Sequence, residues 1–401
     1  MIFDTITPAP PDAILGLTDA FKKDTNPKKV NLGVGVYVDD QGDTPILKAV
    51  RQAEKVLWDT RTTKSYMPIS GSPEYAEVVQ DLLFGKGHPI LAAGRVRTAH
   101  TPGGTGGLRV GAELLKKFVP AARVWFSSPT WPNHKGIFAA TGFKTEAYPY
   151  YNASSHGIDF DAMCDTLKHV AKNDIVVLHV CCHNPTGNDL SDAQWKEVAA
   201  IARAQQWIPF LDFAYQGLGE GITEDRKGLL AMLDAEVECF VSSSFSKNFG
   251  LYQDRVGALT LVAADSKSAE TAFSHAKTVI RVIYSNPAAH GGAIVTTILK
   301  NLDLRVLWDE ELNTMRQRIA TVRNTLVAEL KKRGAAMDFS FIHRQRGMFS
   351  FSGLSDAQVS FLRDKKSIYM VGGGRINVAG ITSNNVNYLC DSIVEAMTKC
   401  R

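Results

Sequence analysis

Between about residues 94 and 263 the chain alternates short β-rich runs with amphipathic stretches of helical period, a pattern that few folds accommodate. Residues 95–98, 123–126, 175–180, 208–212, 239–243 and 256–262 read as strands. Residues 107–118, 133–141, 161–171 and 191–205, lying between them, have helical periodicity. Alternation of this kind builds a mostly parallel sheet with helices on both faces. Ligands of such sheets bind beyond the carboxyl ends of the strands, so motifs that directly follow a strand carry the most weight. After about residue 265 the pattern changes. Residues 266–334 are mostly helical with a break near Ser285-Asn286-Pro287, and short elements follow at 348–352, 356–366, 375–378 and 386–399. That last portion reads as a smaller α+β domain. At 401 residues the chain suits two or three units of about 150 residues.

Composition removes several classes. An apolar fraction of 45% and a charged fraction of 21% are those of a soluble globular enzyme. The net charge of +4 comes without a dense basic block, so no nucleic-acid partner is expected, while small anionic ligands fit. The N-terminus carries Asp4 and a cluster of prolines and lacks a basic start followed by an apolar core, so it does not read as a signal peptide. No apolar run approaches the roughly 18 residues of a membrane span, and a cytoplasmic protein is expected. The longest run, 175–182, fits a fully buried strand, which would set the adjacent Cys181 and Cys182 on opposite faces. The six cysteines show no C-x-x-C spacing. Neither a metal site nor a disulfide framework is expected, and the thiols read as buried and reduced.

Four motifs follow these strands. Pro102-Gly103-Gly104-Thr105-Gly106-Gly107 leads into a helix expected to begin near Leu108. Its glycines let the backbone approach closely and the helix amides point at an anion, which makes a phosphate cradle. It has neither the Gly-Lys-Ser/Thr of a Walker loop nor the G-x-G-x-x-G spacing of a dinucleotide fingerprint. Cys182-His183-Asn184-Pro185-Thr186-Gly187 is turn chemistry, with Asn184 able to donate to a ring hydroxyl of a ligand. In Asp212-Phe213-Ala214-Tyr215 a carboxylate ends an apolar strand and needs a cationic partner. A protonated pyridine nitrogen would serve, a helix N-cap being the plainer alternative. The fourth motif, residues 242–250, places Lys247 among four serines, with Arg255 eight residues further on. A desolvated lysine there suits an aldehyde cofactor carried as a Schiff base. Asn184, Asp212 and Lys247 are 28 and 35 residues apart, about one βα unit each, so successive strand ends bring all three to one edge of the sheet.

With Ser246-Lys247-Asn248-Phe249-Gly250, His183-Asn184-Pro185-Thr186-Gly187 and Asp212-Phe213-Ala214-Tyr215 together, the chain resembles the class I aminotransferases of the aspartate aminotransferase family. It looks most like bacterial aspartate and aromatic-amino-acid aminotransferases. The likeness runs from Ala13-Ile14-Leu15 through Leu32-Gly33-Val34-Gly35-Val36-Tyr37 to Gly374-Arg375-Ile376-Asn377. It implies the α/β fold-type-I architecture of pyridoxal-phosphate transferases. The layout would be an N-terminal arm over 1–12, small-domain segments over 13–44 and 315–401, and a large cofactor-binding domain over 45–314. It also implies a homodimer with shared active sites. Lys247 would hold pyridoxal 5'-phosphate covalently, Asp212 would pair with its ring nitrogen, and Tyr215 and Asn184 would hydrogen-bond its ring oxygen. Trp131 would stack on the ring, with His134 behind Asp212. Gly104, Thr105, Ser244 and Arg255 would hold the phosphate, with Tyr66 reaching in from the partner subunit. Arg375 would clamp the substrate α-carboxylate, with Gly35, Trp131 and Asn184 also lining the substrate site. Arg281 of the partner would meet a side-chain carboxylate.

The expected reaction is a ping-pong transamination from aromatic amino acids (tyrosine, phenylalanine, tryptophan) and aspartate to 2-oxoglutarate, with Lys247 moving the substrate Cα proton. Arg281 favours dicarboxylic substrates, because a buried guanidinium left unpaired is costly. Leu82-Leu83-Phe84-Gly85, His88-Pro89 and Arg346-Gly347-Met348-Phe349 resemble the aromatic-accepting members. An aspartate aminotransferase with little aromatic activity is the alternative. Ala288-Ala289 departs from the Pro-containing pair common in the family just after Arg281, which leaves side-chain selectivity open. A nicotinamide dehydrogenase would need the missing fingerprint. A non-catalytic regulator on this fold would be expected to lack one of Lys247, Asp212 or Arg375, and a decarboxylase or lyase fits poorly with two carboxylate-binding arginines.

Overall fold

A computed structural model describes residues 2–9 and 15–400. Part of the expected N-terminal arm, and Ala13 and Ile14 of the N-terminal likeness, lie outside the described residues. The chain forms two compact units.

The larger unit, Thr44–Arg318 with Gln345–Gly347, is built on a seven-stranded sheet. Its strands, labelled β1 to β7 in chain order within the sheet, are Val96–Pro102, Arg123–Ser128, Lys144–Pro149, Ile175–His179, Ile208–Phe213, Cys239–Ser244 and Val256–Val262. They lie in the order β1-β7-β6-β5-β4-β2-β3. β7 runs antiparallel to β1 and β6, and the other pairings are parallel. β4 and β7 are buried along their whole lengths, which explains their unbroken apolar character. Residues 245–255 join β6 to β7 without a crossover helix, and so direct a return makes the antiparallel pairing the reachable one.

Helix Gly103–Phe118 begins at Gly103 rather than near Leu108. It lies close to the sheet because glycine leaves room. A Cβ at Gly107 would meet Ser242 Oγ at 2.6 Å, and one at Gly111 would meet the Phe210 ring at 2.4 Å. Beside that contact Leu108, Val110, Leu114 and Leu115 pack with Val124, Phe126, Ile175, Val177, Phe210 and Leu259 in one core. Full burial of each large aliphatic or aromatic side chain contributes about 1.5–3 kcal/mol.

The apolar run 175–182 is not all strand. β4 ends at His179, and Cys182 takes a positive φ of 52°. The Asp189 carboxylate there accepts from the backbone N–H groups of Cys182 and His183 at 2.7 and 2.8 Å. Cys181 and Cys182 therefore leave the sheet as part of a turn instead of facing its two sides. Both thiols are buried. Beyond β7 the helical region resolves into Ser266–Ile283, Ala289–Lys300 and Leu302–Lys332.

The smaller unit combines Met1–Asp43, Ile319–Arg344 and Met348–Arg401. Strand Val30–Asn31 pairs in parallel with Ile368–Tyr369, and Phe349–Phe351 pairs antiparallel with Arg375–Asn377. Helix Asp356–Lys366 starts from a Ser355–Gln358 capping box, which satisfies two amides at its N-terminus. The buried Arg323 donates to Phe349 O at 2.7 Å and pins the strand beside Arg375. Among the described residues no helix is long and apolar enough to cross a membrane.

Candidate active site

β4, β5 and β6 are adjacent and parallel, so their carboxyl ends share one edge. Register sets His179 opposite Asp212 and Asp212 opposite Ser242. Asn184 lies buried in the turn after β4, Asp212 is near the end of β5, and Lys247 comes just past β6.

Asp212 is buried, and its Oδ2 lies 3.0 Å from His134 Nε2. His134 stands on helix Asn133–Ala139, which follows β2, and its Nδ1 is 2.9 Å from Thr130 Oγ1. Burial pushes the Asp212 carboxyl up. The hydrogen bond from His134, and the charges of His134, His179 and Lys247, outweigh burial and hold it below the usual carboxylate range. Asp212 is thus an ionised, enclosed carboxylate, suited to holding a cationic nitrogen. Trp131 is partly buried, edge-on to His134 with ring centroids 5.3 Å apart.

Lys247 Nζ sits 5.0 Å from the centroid of the buried Tyr215 ring. Burial pushes its amine down to about 8, with Arg255 acting in the same direction and Asp212 opposing. An amine of that kind loses its proton near neutral pH, which a nucleophile or base requires.

The other end of the site is built for an anion. Helix Gly103–Phe118 opens at the same edge, since β1 ends at Pro102 and Pro102 pairs with Val256. A Cβ at Gly103 would meet the Arg255 guanidinium at 2.5 Å, and one at Gly104 would meet Ser244 Cβ at 3.0 Å. Bare backbone at the helix start leaves its amides open to a ligand. Thr105 is in the first turn, Ser244 Oγ donates to Ser246 Oγ at 3.2 Å, and Arg255 Nη1 is 3.5 Å from Ser246 Oγ. Helix amides, hydroxyls and a guanidinium together suit a phosphate dianion. With an amine for an aldehyde, a carboxylate for a ring nitrogen and donors at Asn184 and Tyr215, this donor set fits pyridoxal phosphate.

Tyr66 is 93% exposed, and Arg281 lies exposed in the last turn of helix Ser266–Ile283, where it donates to Ser285. In the smaller unit Arg375 is 2% exposed, donates from Nη2 to Gly33 O at 2.7 Å and lies 4.4 Å over the Phe349 ring. Gly35 faces the same ring, for a Cβ there would come within 3.2 Å of it. Asn377 donates to Val34 O and Val36 O at 2.7 Å each and so fixes the segment around Gly35.

Sequence reasoning passed over three neighbours of this group. Thr130 precedes His134 by one helical turn, Ser246 precedes Lys247, and His179 is the last residue of β4. For His179 the available signal was its place opposite Asp212 at the end of an apolar strand.

Comparison with known proteins agrees with this arrangement. The family model for aminotransferase class I and II matches residues 27–393. The aspartate aminotransferase of Escherichia coli (strain K12) is 50% identical over 396 residues, covering 99% of this chain and all of that protein. The aromatic-amino-acid aminotransferase of the same organism is 41% identical over 387 residues, covering 96% and 98%. A crystal structure of the aromatic-amino-acid aminotransferase from Burkholderia pseudomallei, covalently bound to pyridoxal phosphate, superposes with a TM-score of 0.97 at 48% identity, covering 99% of this chain and all of that one. The chain belongs to the class I and II aminotransferases, its fold is the fold-type-I architecture of the pyridoxal-phosphate transferases, and it is a transaminase.

Proposed function

We propose that this chain moves amino groups from aromatic amino acids and from aspartate to 2-oxoglutarate, with pyridoxal 5'-phosphate as cofactor. The observation that carries the reading is the position of Lys247, just past β6 with its Nζ 5.0 Å from the Tyr215 ring, at the sheet edge that also holds the buried Asp212. Bound there, pyridoxal phosphate supplies an electron sink that stabilises negative charge at the substrate Cα. Lys247 would hold the cofactor and, as a free base, would carry the substrate Cα proton. Asp212, oriented by His134 and Thr130, would keep the ring nitrogen charged. Asn184 and Tyr215 would donate to the ring oxygen, Trp131 would cover the ring face, and Gly104, Thr105, Ser244 and Arg255 would bind the phosphate. Arg375 presents a planar fork to the α-carboxylate common to every substrate, with Gly35, Trp131 and Asn184 lining the substrate site.

Relatives named for both aspartate and aromatic amino acids support the dual range. Comparing kcat/KM for aspartate, tyrosine and phenylalanine, with 2-oxoglutarate as acceptor, tests it. Activity within about tenfold across the three is expected, a spread of about 1.4 kcal/mol in transition-state binding. A negligible aromatic rate would leave an aspartate aminotransferase and remove the dual assignment.

The reading includes a cytoplasmic homodimer in which Tyr66 and Arg281 of one protomer serve the site of the other. Support comes from exposed Tyr66, Trp58 and Val282, large apolar surfaces that association would cover. Sedimentation at nanomolar concentration should find a dimer, and Arg281→Ala should raise KM for aspartate far more than for phenylalanine. A fully active monomer would remove the shared-site part of the proposal.

A further inference from the structure

Besides the groups used above, the catalytic edge of the sheet holds one that no step employs. His179 ends β4 with 8% of its surface exposed, and neither ring nitrogen has a hydrogen-bond partner. Buried polar atoms of folded proteins are nearly always paired, so an orphaned imidazole calls for a ligand. Its surroundings name the ligand's chemistry. One donor atom each from His134, His179 and Asp212 lies within 4.8 Å of the others, and all three residues are buried. The His134 and His179 ring centroids are 5.0 Å apart.

We propose that the cofactor-free chain binds one divalent transition-metal ion, of the zinc or cobalt type, between His134, His179 and Asp212. Two imidazoles and a carboxylate are the donor set such ions prefer, and magnesium or calcium would instead require more oxygen ligands. Bonds of about 2.0–2.2 Å to each donor ask the His134–Asp212 pair, now 3.0 Å apart, to open slightly and the widest pair to close. Thr130 supplies the outer support. With His134 in its Nδ1–H tautomer, that proton goes to Thr130 Oγ1 at 2.9 Å, and Nε2 turns its lone pair toward the ion. None of these ligands is a thiolate, so cysteine spacing carries no information about this site.

One consequence rests on the proposed function: if Asp212 is the partner of the ring nitrogen, metal and pyridoxal phosphate compete for it. The test is a titration of the full-length cofactor-free chain with cobalt(II) alone, read by its visible d–d absorption, against the variants His179→Phe and Asp212→Asn. Near-stoichiometric binding by the parent, weakened at least tenfold in each variant, is expected. The same result with Asp212→Asn protects the test from a folding failure of His179→Phe. Unsaturable binding, or affinity unchanged in both variants, would overturn the site. Addition of pyridoxal phosphate should then release the cobalt, and a chelator should speed cofactor uptake by chain exposed to zinc. Cobalt binding that depends on His179 but persists in the cofactor-loaded protein would keep the metal site and strike the Asp212 assignment instead.

Discussion

Lys247→Ala is expected to lower turnover at least about 10⁴-fold, because one side chain serves as both cofactor anchor and proton carrier. The variant should still take up pyridoxal phosphate, since the anion end at Gly103–Arg255 and the Asp212 end are separate from the lysine. Sustained multiple turnover without an added amine would end the assignment. The lysine also leaves a mark on stability that needs no cofactor. Its amine falls from 10.5 in the open chain to about 8 in the fold. The folded state therefore binds fewer protons between those values, and stability rises as pH climbs from about 8 to 10.5. Below pH 8 the penalty is fully present. It amounts to about 2–3 kcal/mol, the lower figure allowing for the side chain's partial exposure. Lys247→Met, which keeps the apolar stem, should accordingly stabilise the cofactor-free chain at pH 7, with the gain fading toward pH 10.5. A gain that is absent, or that grows with pH, would show that the amine is not desolvated.

Asp212→Asn should give the second large loss. It removes the negative partner of a buried cationic nitrogen, a truncation that costs about 2–5 kcal/mol, or about 30- to several-thousandfold in rate. Cofactor affinity should fall with it. Asp212 also opposes the downward push on Lys247, so its removal should move the loss of the lysine proton to lower pH. A variant within threefold of the parent in kcat/KM would show that the carboxylate only supports the fold.

Legibility in the sequence followed the physics of each element. Val256–Val262, Asp356–Lys366 and Val386–Lys399 have the bounds their patterns predict, because each buries a continuous apolar strip or one clean helical face. Lys144–Pro149 was invisible: as an edge strand it buries only Tyr148, so no alternation marks it. The start of the helix at Gly103 was hidden for a related reason, since glycines carry no side chains from which a period can be read. The direction of β7 was equally hidden. Composition shows that a strand is buried but not which way it runs, and only the helix-free return 245–255 hints at reversal. At the site, the spacing of Asn184, Asp212 and Lys247 made their common edge readable because each closes one βα unit. His179 and Thr130 matter through contacts across strands and turns, and no spacing rule reports those.

The smaller unit is assembled from three separated stretches of chain, and this sets a timetable for synthesis. Val30 pairs with Ile368, and Asn31 with Tyr369. At about 5–20 residues per second, the first strand waits tens of seconds on the ribosome for its partner. The larger unit, nearly continuous from Thr44 to Arg318, can condense during that interval. A nascent chain stalled before residue 368 would thus carry a finished sheet beside an unpaired N-terminal segment, the form most in need of chaperone protection.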